Sequence, residues 1–428
     1  ESKRSIARGD ASRRGLTKRG TESKTGFDPG TRRFRDAAEI ETRAEGRTAE
    51  DANPTLLIIG DSEADADLYY ATRFYVTVTV VYVQIGARKL LLVNDLEYGR
   101  AVAEAKVDEV ISTTPYEEKL RAAGEPARIT SVLDLFFRER GLRERGVREL
   151  SVPARFPLAH AENLREKGYL LKVREDPFFP QRSIKTAEEV ALIESMQRFA
   201  EEAMTLATTK IRESEIRGGL LYHRGRQLTS EGLRLDIQKL LLERQCVAPQ
   251  TIIAGGDQAA DPHARGTGPL PAHKTIIIDI FPQSTATQYW GEMTRTVVRG
   301  KATRAVRKLF DDVKAAQDLA FSRLKDGADG QKVHEEVADL LRSLGNPNES
   351  IEGKKTGFIH STGHGLGLDI HEWPRLGRTA ARIQKGQVLT VEPGLYYPGV
   401  GAVRLEDVVA IEKSGCRNLN RFPVQLEP

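Results

Sequence analysis

Cysteine is almost missing: Cys246 and Cys416 are the only two in 428 residues. Two cannot build a disulfide framework, and neither has a partner at the short spacing of thiolate zinc sites. A reducing, cytoplasmic location is expected. Long apolar runs are missing too. A membrane helix needs roughly 18 consecutive apolar residues, whereas the longest candidates are short runs such as Leu56–Ile59, so no membrane partner is expected. The first 30 residues contain no apolar segment of the secretory-signal type. Charge of one sign is scarce as well, 65 Lys+Arg standing against 61 Asp+Glu, and no nucleic-acid partner is expected. The small basic excess sits in residues 1–50, with 13 Lys+Arg against 9 Asp+Glu. Ser, Arg, Gly and Thr dominate there without apolar periodicity, which reads as a basic, disordered tail.

What is present suits a two-domain protein, since 428 residues are many for one hydrophobic core. Residues 53–180 alternate strand and helix patterns: strands over 56–59, 75–85 and 89–93, a helix over 95–105, an amphipathic helix over 129–140, and a strand over 149–152. This is an α/β domain. The acidic run Asp61–Asp67 is no calcium loop, because Ala66 and Thr72 stand where the turn glycine and the bidentate glutamate belong. Asp176-Pro-Phe-Phe-Pro-Gln181 marks a boundary. Beyond it, over 183–426, Thr186 and Glu189 form a capping box opening a long helix. Further helices are expected over 230–244, 303–325 and 331–344, and strands over 249–254, 274–281, 288–298, 387–392 and 402–411. Helices on a largely antiparallel sheet make this half α+β.

Three of the eight histidines fall in one short glycine-rich stretch, His360 to His371. Glycines at 363, 365 and 367 argue against helix, while Leu366, Leu368 and Ile370 alternate as in a strand pressed against other backbone. Imidazoles concentrated in so little side-chain bulk suggest a site.

Four carboxylates share a second peculiarity, each sitting on or at the end of an apolar strand. Thr275–Asp279 and Tyr289–Val298 read as a hairpin centred near Thr285 and Ala286, which sets Asp279 opposite Glu292. Opposed like charges destabilise a sheet, and buried ones take up a proton unless a cation lies between them. The pair is therefore either exposed at an edge or metal-bound, and Tyr289, Trp290 and the run Ile276–Ile280 favour burial. Glu392 ends the strand Val388–Val391 before Pro-Gly, and Glu406 shares a strand face with Arg404. An oxygen-rich set with one or two imidazoles suits a dinuclear Mn, Co or Zn centre.

In order and in flanking text, Asp279, Glu292, His364, Glu392 and Glu406 resemble the five-ligand set of the pita-bread metallopeptidases: aminopeptidase P, prolidase and methionine aminopeptidase. The matching segments are Gly-Glu-Met-Thr-Arg-Thr, Gly-His-Gly-Leu-Gly-Leu-Asp-Ile-His-Glu, Thr-Val-Glu-Pro-Gly-Leu-Tyr and Val-Arg-Leu-Glu-Asp. The first domain is similar to that of creatinase, prolidase and aminopeptidase P. The resemblance implies a curved antiparallel catalytic sheet covered by helices, two divalent metal ions (most simply Mn) and a homodimer or larger homo-oligomer. It also implies metal-dependent exopeptidase action on the Xaa-Pro bond of proline-containing peptides, through a metal-bridging hydroxide. Asp279 would chelate one ion, His364 and Glu392 the other, with Glu292 and Glu406 bridging. His263, His360 and His371 would position substrate and stabilise the oxyanion, Glu392 would shuttle the proton, and Arg404 would orient the Glu406 region.

One departure accompanies the match. The family carries Asp where this chain has Glu292, and the spacing from the first ligand is two residues longer. Two alternatives follow: a weakened or non-catalytic binding module on the same fold, or a C–N hydrolase of the creatinase kind.

Overall fold

Residues 54–351 and 353–428 are described by a computed structural model; the tail expected over 1–50 lies outside the described residues. The early apolar runs assemble one sheet. Its strands are β1 (Thr55–Gly60), β2 (Val80–Ile85), β3 (Arg88–Val93), β4 (Glu109–Ser112), β5 (Glu149–Pro153) and β6 (Leu170–Arg174). They lie in the order β4-β3-β2-β1-β5-β6; β1, β2 and β3 pair antiparallel, whereas β4, β5 and β6 join in parallel. A strand covered on both faces must be apolar at every position. In β1, Leu57 and Ile59 enter one core with Leu133 and Phe136, while Leu56 and Ile58 enter another with Leu68 and Phe74. Helices α1 (Ala66–Thr72), α2 (Asp95–Glu104), α3 (Thr114–Ala122), α4 (Ile129–Glu139) and α5 (Leu158–Glu166) accompany the sheet.

One expectation for this region changes. The strand expected over 75–85 begins only at Val80, because Ser62 takes the preceding backbone: its hydroxyl donates to Phe74 O at 2.6 Å and accepts from Val76 N at 2.8 Å. The acidic run serves local structure, Asp65 capping α1 by accepting from Leu68 N at 2.9 Å.

The second half opens with the expected capping box: Thr186 Oγ1 accepts from Glu189 N, and Glu189 returns the bond to Thr186 N. It starts α6 (Ala187–Arg212), which is followed by α7 (Ser230–Glu243), α8 (Arg304–Arg323) and α9 (Gly330–Ser343). Strands Ile252–Gly255, Thr275–Ile280 and Met293–Val298 form an antiparallel sheet in that order. Alanines 200, 203 and 207 let α6 approach its Ile276 and Ile278 closely. A five-stranded antiparallel sheet runs Glu372–Leu376, Gly363–Gly365, Val388–Val391, Asp407–Ile411, Cys416–Asn418, packed on Val313, Ala316 and Ala320 of α8. Among the described residues no helix is long and apolar enough to cross a membrane.

Three local expectations are corrected here. Asp279 pairs with Thr294, not Glu292, and the return strand begins at Met293 rather than near 288. The longer connection makes contacts of its own: Gln283 and Ser284 pair with Val247 and Cys246, and Thr285 N donates to Gln245 O. The strand expected over 402–411 breaks in two: Gly401–Arg404 pairs with Gly394–Tyr397, whereas Asp407–Ile411 joins Val388–Val391. The buried Arg295 holds this break, donating to Glu406 O at 2.7 Å and Asp407 Oδ1 at 2.7 Å. The glycine-histidine stretch is a strand only over Gly363–Gly365, with a register shift between His364 and Gly365. Close backbone approach is nonetheless real: a Cβ at Gly363 would lie 2.0 Å from Thr390 O.

Candidate metal centre

Each acid reaches the centre from a different element. Asp279 is the penultimate residue of the central strand of the three-stranded sheet, Glu292 precedes its edge strand, Glu392 follows Val388–Val391, and Glu406 occupies the break between two strands. His364 lies in the middle of Gly363–Gly365. Glu292, His364 and Glu406 each offer a ligand atom within 4.8 Å of the others, all three buried. His364 Nε2 stands 3.6 Å from Glu292 Oε2 and 3.3 Å from Glu392 Oε1. Asp279 adjoins the group: its charge bears on Glu292, Glu392 and Glu406.

The anchoring of these acids is one-sided. Asp279 Oδ2 accepts from Arg404 Nη2 at 2.8 Å, and Glu406 Oε2 accepts from Thr294 Oγ1 at 2.8 Å. Their other oxygens, Asp279 Oδ1 and Glu406 Oε1, are buried without a hydrogen-bond partner among the described residues, as is Glu292 Oε2. An unpaired buried carboxylate oxygen is costly. Desolvation, then mutual repulsion, holds Glu292 and Glu406 well above the carboxylate range. Burial also raises Asp279 in spite of Arg404, and lifts Glu392 to about 7.

The imidazoles shift the opposite way. Burial lowers His364 to about 3, so the ring is neutral at pH 7. Its Nδ1 sits 3.1 Å from the Gly365 carbonyl, which requires the proton on Nδ1 and leaves a lone pair on Nε2 facing the carboxylates. Lone pairs aimed at buried carboxylate oxygens repel unless a cation lies among them. An O-rich set with one oriented imidazole therefore fits a hard or borderline divalent ion.

The remaining site residues suggested by the sequence surround this cluster. His371 is exposed, its ring centroid 4.4 Å from that of His364; partial desolvation, with Arg375 and His263 nearby, lowers its pKa. The bend after Gly365 brings the two rings together. His263 lies on an exposed loop, near enough for its charge to bear on Asp279 and His360. Burial lowers His360 to about 4. Its Nδ1 faces Ser361 O at 2.8 Å and its Nε2 the Tyr396 hydroxyl at 3.0 Å, so both ring nitrogens are engaged. Arg404 contacts Asp279 directly and reaches Glu406 through Thr294 Oγ1, to which its Nε donates at 3.3 Å.

Tyr396 was not singled out by sequence reasoning. Its hydroxyl accepts from Arg404 Nη1 at 3.0 Å and, facing the unprotonated Nε2, donates to His360. This makes a chain from Asp279 through Arg404 and Tyr396 to His360. The signal available was its place in the Glu-Pro-Gly-Leu-Tyr segment; its role depends on the hairpin Gly394–Tyr397 with Gly401–Arg404. Thr294, the anchor of Glu406, was hidden by the misplaced register.

Comparison with known proteins supplies a family and a fold. The profile of "Metallopeptidase family M24" matches residues 191–413. An Xaa-Pro dipeptidase of Pyrococcus furiosus is 28% identical over 281 residues, covering 65% of this chain and 75% of that protein. The solved structure of a prolidase from Pyrococcus furiosus aligns with a TM-score of 0.69 at 25% identity, over 87% of this chain and 98% of its own. An X-Pro aminopeptidase structure from Thermotoga maritima aligns with a TM-score of 0.70 at 21% identity, over 88% and 98% of the two chains, and shares the fold.

Proposed function

Because the chain belongs to metallopeptidase family M24, we propose that it is an exopeptidase hydrolysing the Xaa-Pro bond of dipeptides or short peptides. In this reading Asp279, Glu292, His364, Glu392 and Glu406 hold two divalent cations, with Mn favoured over Co or Zn. The observation that carries it is that Glu292 and Glu406, each with a buried carboxylate oxygen lacking a hydrogen-bond partner among the described residues, offer ligand atoms within 4.8 Å of His364, whose bare Nε2 stands 3.6 Å from Glu292 Oε2. When bound, such cations supply a Lewis acid for the scissile carbonyl and a water whose pKa falls towards about 7.

The chain's own groups then have distinct tasks. Glu392, raised to about 7 by burial, keeps 16% of its side chain accessible. It is suited to take a proton from the attacking water and return it to the departing proline nitrogen. His371, neutral at pH 7 and beside His364, is placed to donate a hydrogen bond to the carbonyl oxygen as it gains charge. His360, anchored at both nitrogens, holds Tyr396 and through it Arg404, which fixes Asp279. His263 lines the approach as a substrate contact. Loops of the first sheet, around Asp61 and Arg155, border a cavity of about 270 Å³ that reaches His371 and Trp373. This supports a division into a gating domain over 53–180 and a catalytic domain over 183–426; a cytoplasmic homodimer is proposed from the family resemblance alone.

Glu292 reaches the cluster despite its extra methylene, which supports ligation rather than a binding module. The deciding experiment treats the chain with chelator, restores Mn, Co or Zn, and assays Xaa-Pro dipeptides beside Xaa-Pro tripeptides. Activity should vanish and return with metal. Cleavage indifferent to chelator, or equal cleavage of Xaa-Ala, would sink the reading.

A further inference from the structure

Glu292 stands just outside the sheet that brings it to the centre. The edge strand begins at Met293, and its last ladder partner is Ile280. Gly291 N donates back to Pro282 O. The backbone groups of alternate residues in an edge strand point away from the sheet. For Thr294 that outward carbonyl is met by Glu406 N at 3.1 Å. For Glu292, two residues earlier, no strand continues, and among the described residues no backbone group takes its N–H or C=O. Buried backbone groups are seldom left unpaired.

What lies there is Gln197, a fully buried residue on α6. Its side-chain amide spans the gap like a missing strand. With the amide oriented by the surrounding network, its nitrogen donates to Glu292 O at 2.9 Å and its oxygen accepts from Glu292 N at 3.1 Å. The opposite orientation keeps one contact, from Asn420 Nδ2 at 3.1 Å. It sets oxygen against oxygen and N–H against N–H at Glu292. Two bonds are gained against one lost, and two repulsions are removed against one made, the amide nitrogen then facing Asn420 Nδ2 at 3.1 Å; this balance favours the orientation that brackets Glu292. The neighbouring residue shows the same docking: a Cβ at Gly291 would lie 2.7 Å from the Met196 carbonyl carbon. The turn carrying Glu292 is therefore seated directly on residues 196 and 197 of α6.

We infer that Gln197 is a positioning residue for the metal centre: its side-chain amide brackets the backbone of Glu292 and so sets where that carboxylate presents its oxygens. The inference rests on the reading of Glu292 as a metal ligand. It concerns a helix residue that touches neither cation nor substrate and lies 95 positions earlier in the chain. Groups that orient a ligand without binding the metal typically alter affinity by about 10- to 100-fold when removed.

The test measures Mn(II) binding to the chelator-stripped full chain by titration calorimetry, with manganese resonance spectra of the loaded protein as a second readout. Four proteins are compared: wild type, Gln197→Met, Glu292→Gln, and the double variant. Gln197→Asn, which keeps the amide but withdraws it by one methylene, stands in if the methionine variant fails to fold. Gln197→Met should weaken Mn(II) binding about tenfold or more and alter the spectrum in the wild-type background. In the Glu292→Gln background the same change should move affinity by less than about twofold, because no carboxylate remains to be aimed. Equal loss in both backgrounds, or none in the first, would overturn the inference while leaving Glu292 a ligand. If Glu292→Gln itself binds Mn(II) as wild type does, the ligand reading falls and the inference with it.

Discussion

Replacing Glu392 with glutamine should move the stability of the metal-free and metal-loaded protein in opposite directions. In the folded chain its carboxyl is raised from 4.5 to about 7, mainly by burial, with Asp279 adding repulsion. A folded-state pKa above the unfolded value means that the native state holds a proton the unfolded chain has released. Stability is therefore lost as pH rises from about 4.5 to about 7. At about 1.4 kcal/mol per pH unit, the full penalty is about 3 kcal/mol by pH 8, and at pH 5 less than about 1 kcal/mol. Glutamine does not titrate, so the chelator-treated variant should gain about 2 kcal/mol on wild type between pH 5 and pH 8. With excess Mn(II) the order should reverse, because the variant has lost a ligand and with it stabilisation by binding. Urea unfolding at both pH values, with and without metal, measures all four differences. If the metal-free variant gained nothing between pH 5 and pH 8, Glu392 would not be a repelled, buried acid. If Mn(II) stabilised both proteins equally, it would not be a ligand.

Three further outcomes follow from the packing. Arg404→Met should cost about 3–5 kcal/mol, since it strips the buried Asp279 carboxylate of its guanidinium partner; a loss under about 1 kcal/mol in thermal unfolding would show the pair to be hydrated. Gly363→Ala should destabilise by about 1–3 kcal/mol and weaken metal binding through His364, because its Cβ would meet Thr390 O at 2.0 Å. Gly99→Ala in α2, with nothing within 4 Å of the added carbon, should instead stabilise by about 1 kcal/mol, and the pair compared in one melt separates crowding from propensity.

The candidate centre was legible in the chain because metal ligands must be particular residue types. Asp279, Glu292, His364, Glu392 and Glu406 stood out by residue type and by their resemblance to a known ligand set, and long periodic elements such as α6 and α8 announce themselves through their apolar faces. The hairpin register was not legible. It depends on where Gln283–Ser284 find a partner, and Cys246–Val247 lies some forty residues away in sequence. The break at Leu405–Glu406 was hidden for a similar reason, since nothing local in Val403–Ile411 reveals that Arg295 will hold the Glu406 carbonyl and Asp407. The chain alone thus determined which groups are candidates for the chemistry and the broad layers that carry them, through side-chain identity and hydrophobic period. Tertiary structure decided how those groups face one another, including the closeness of His364 to His371 and the seat of Glu292 on Gln197. Such distances are set by contacts between elements remote in sequence, where a slip of two residues leaves every local preference satisfied and the site dismantled.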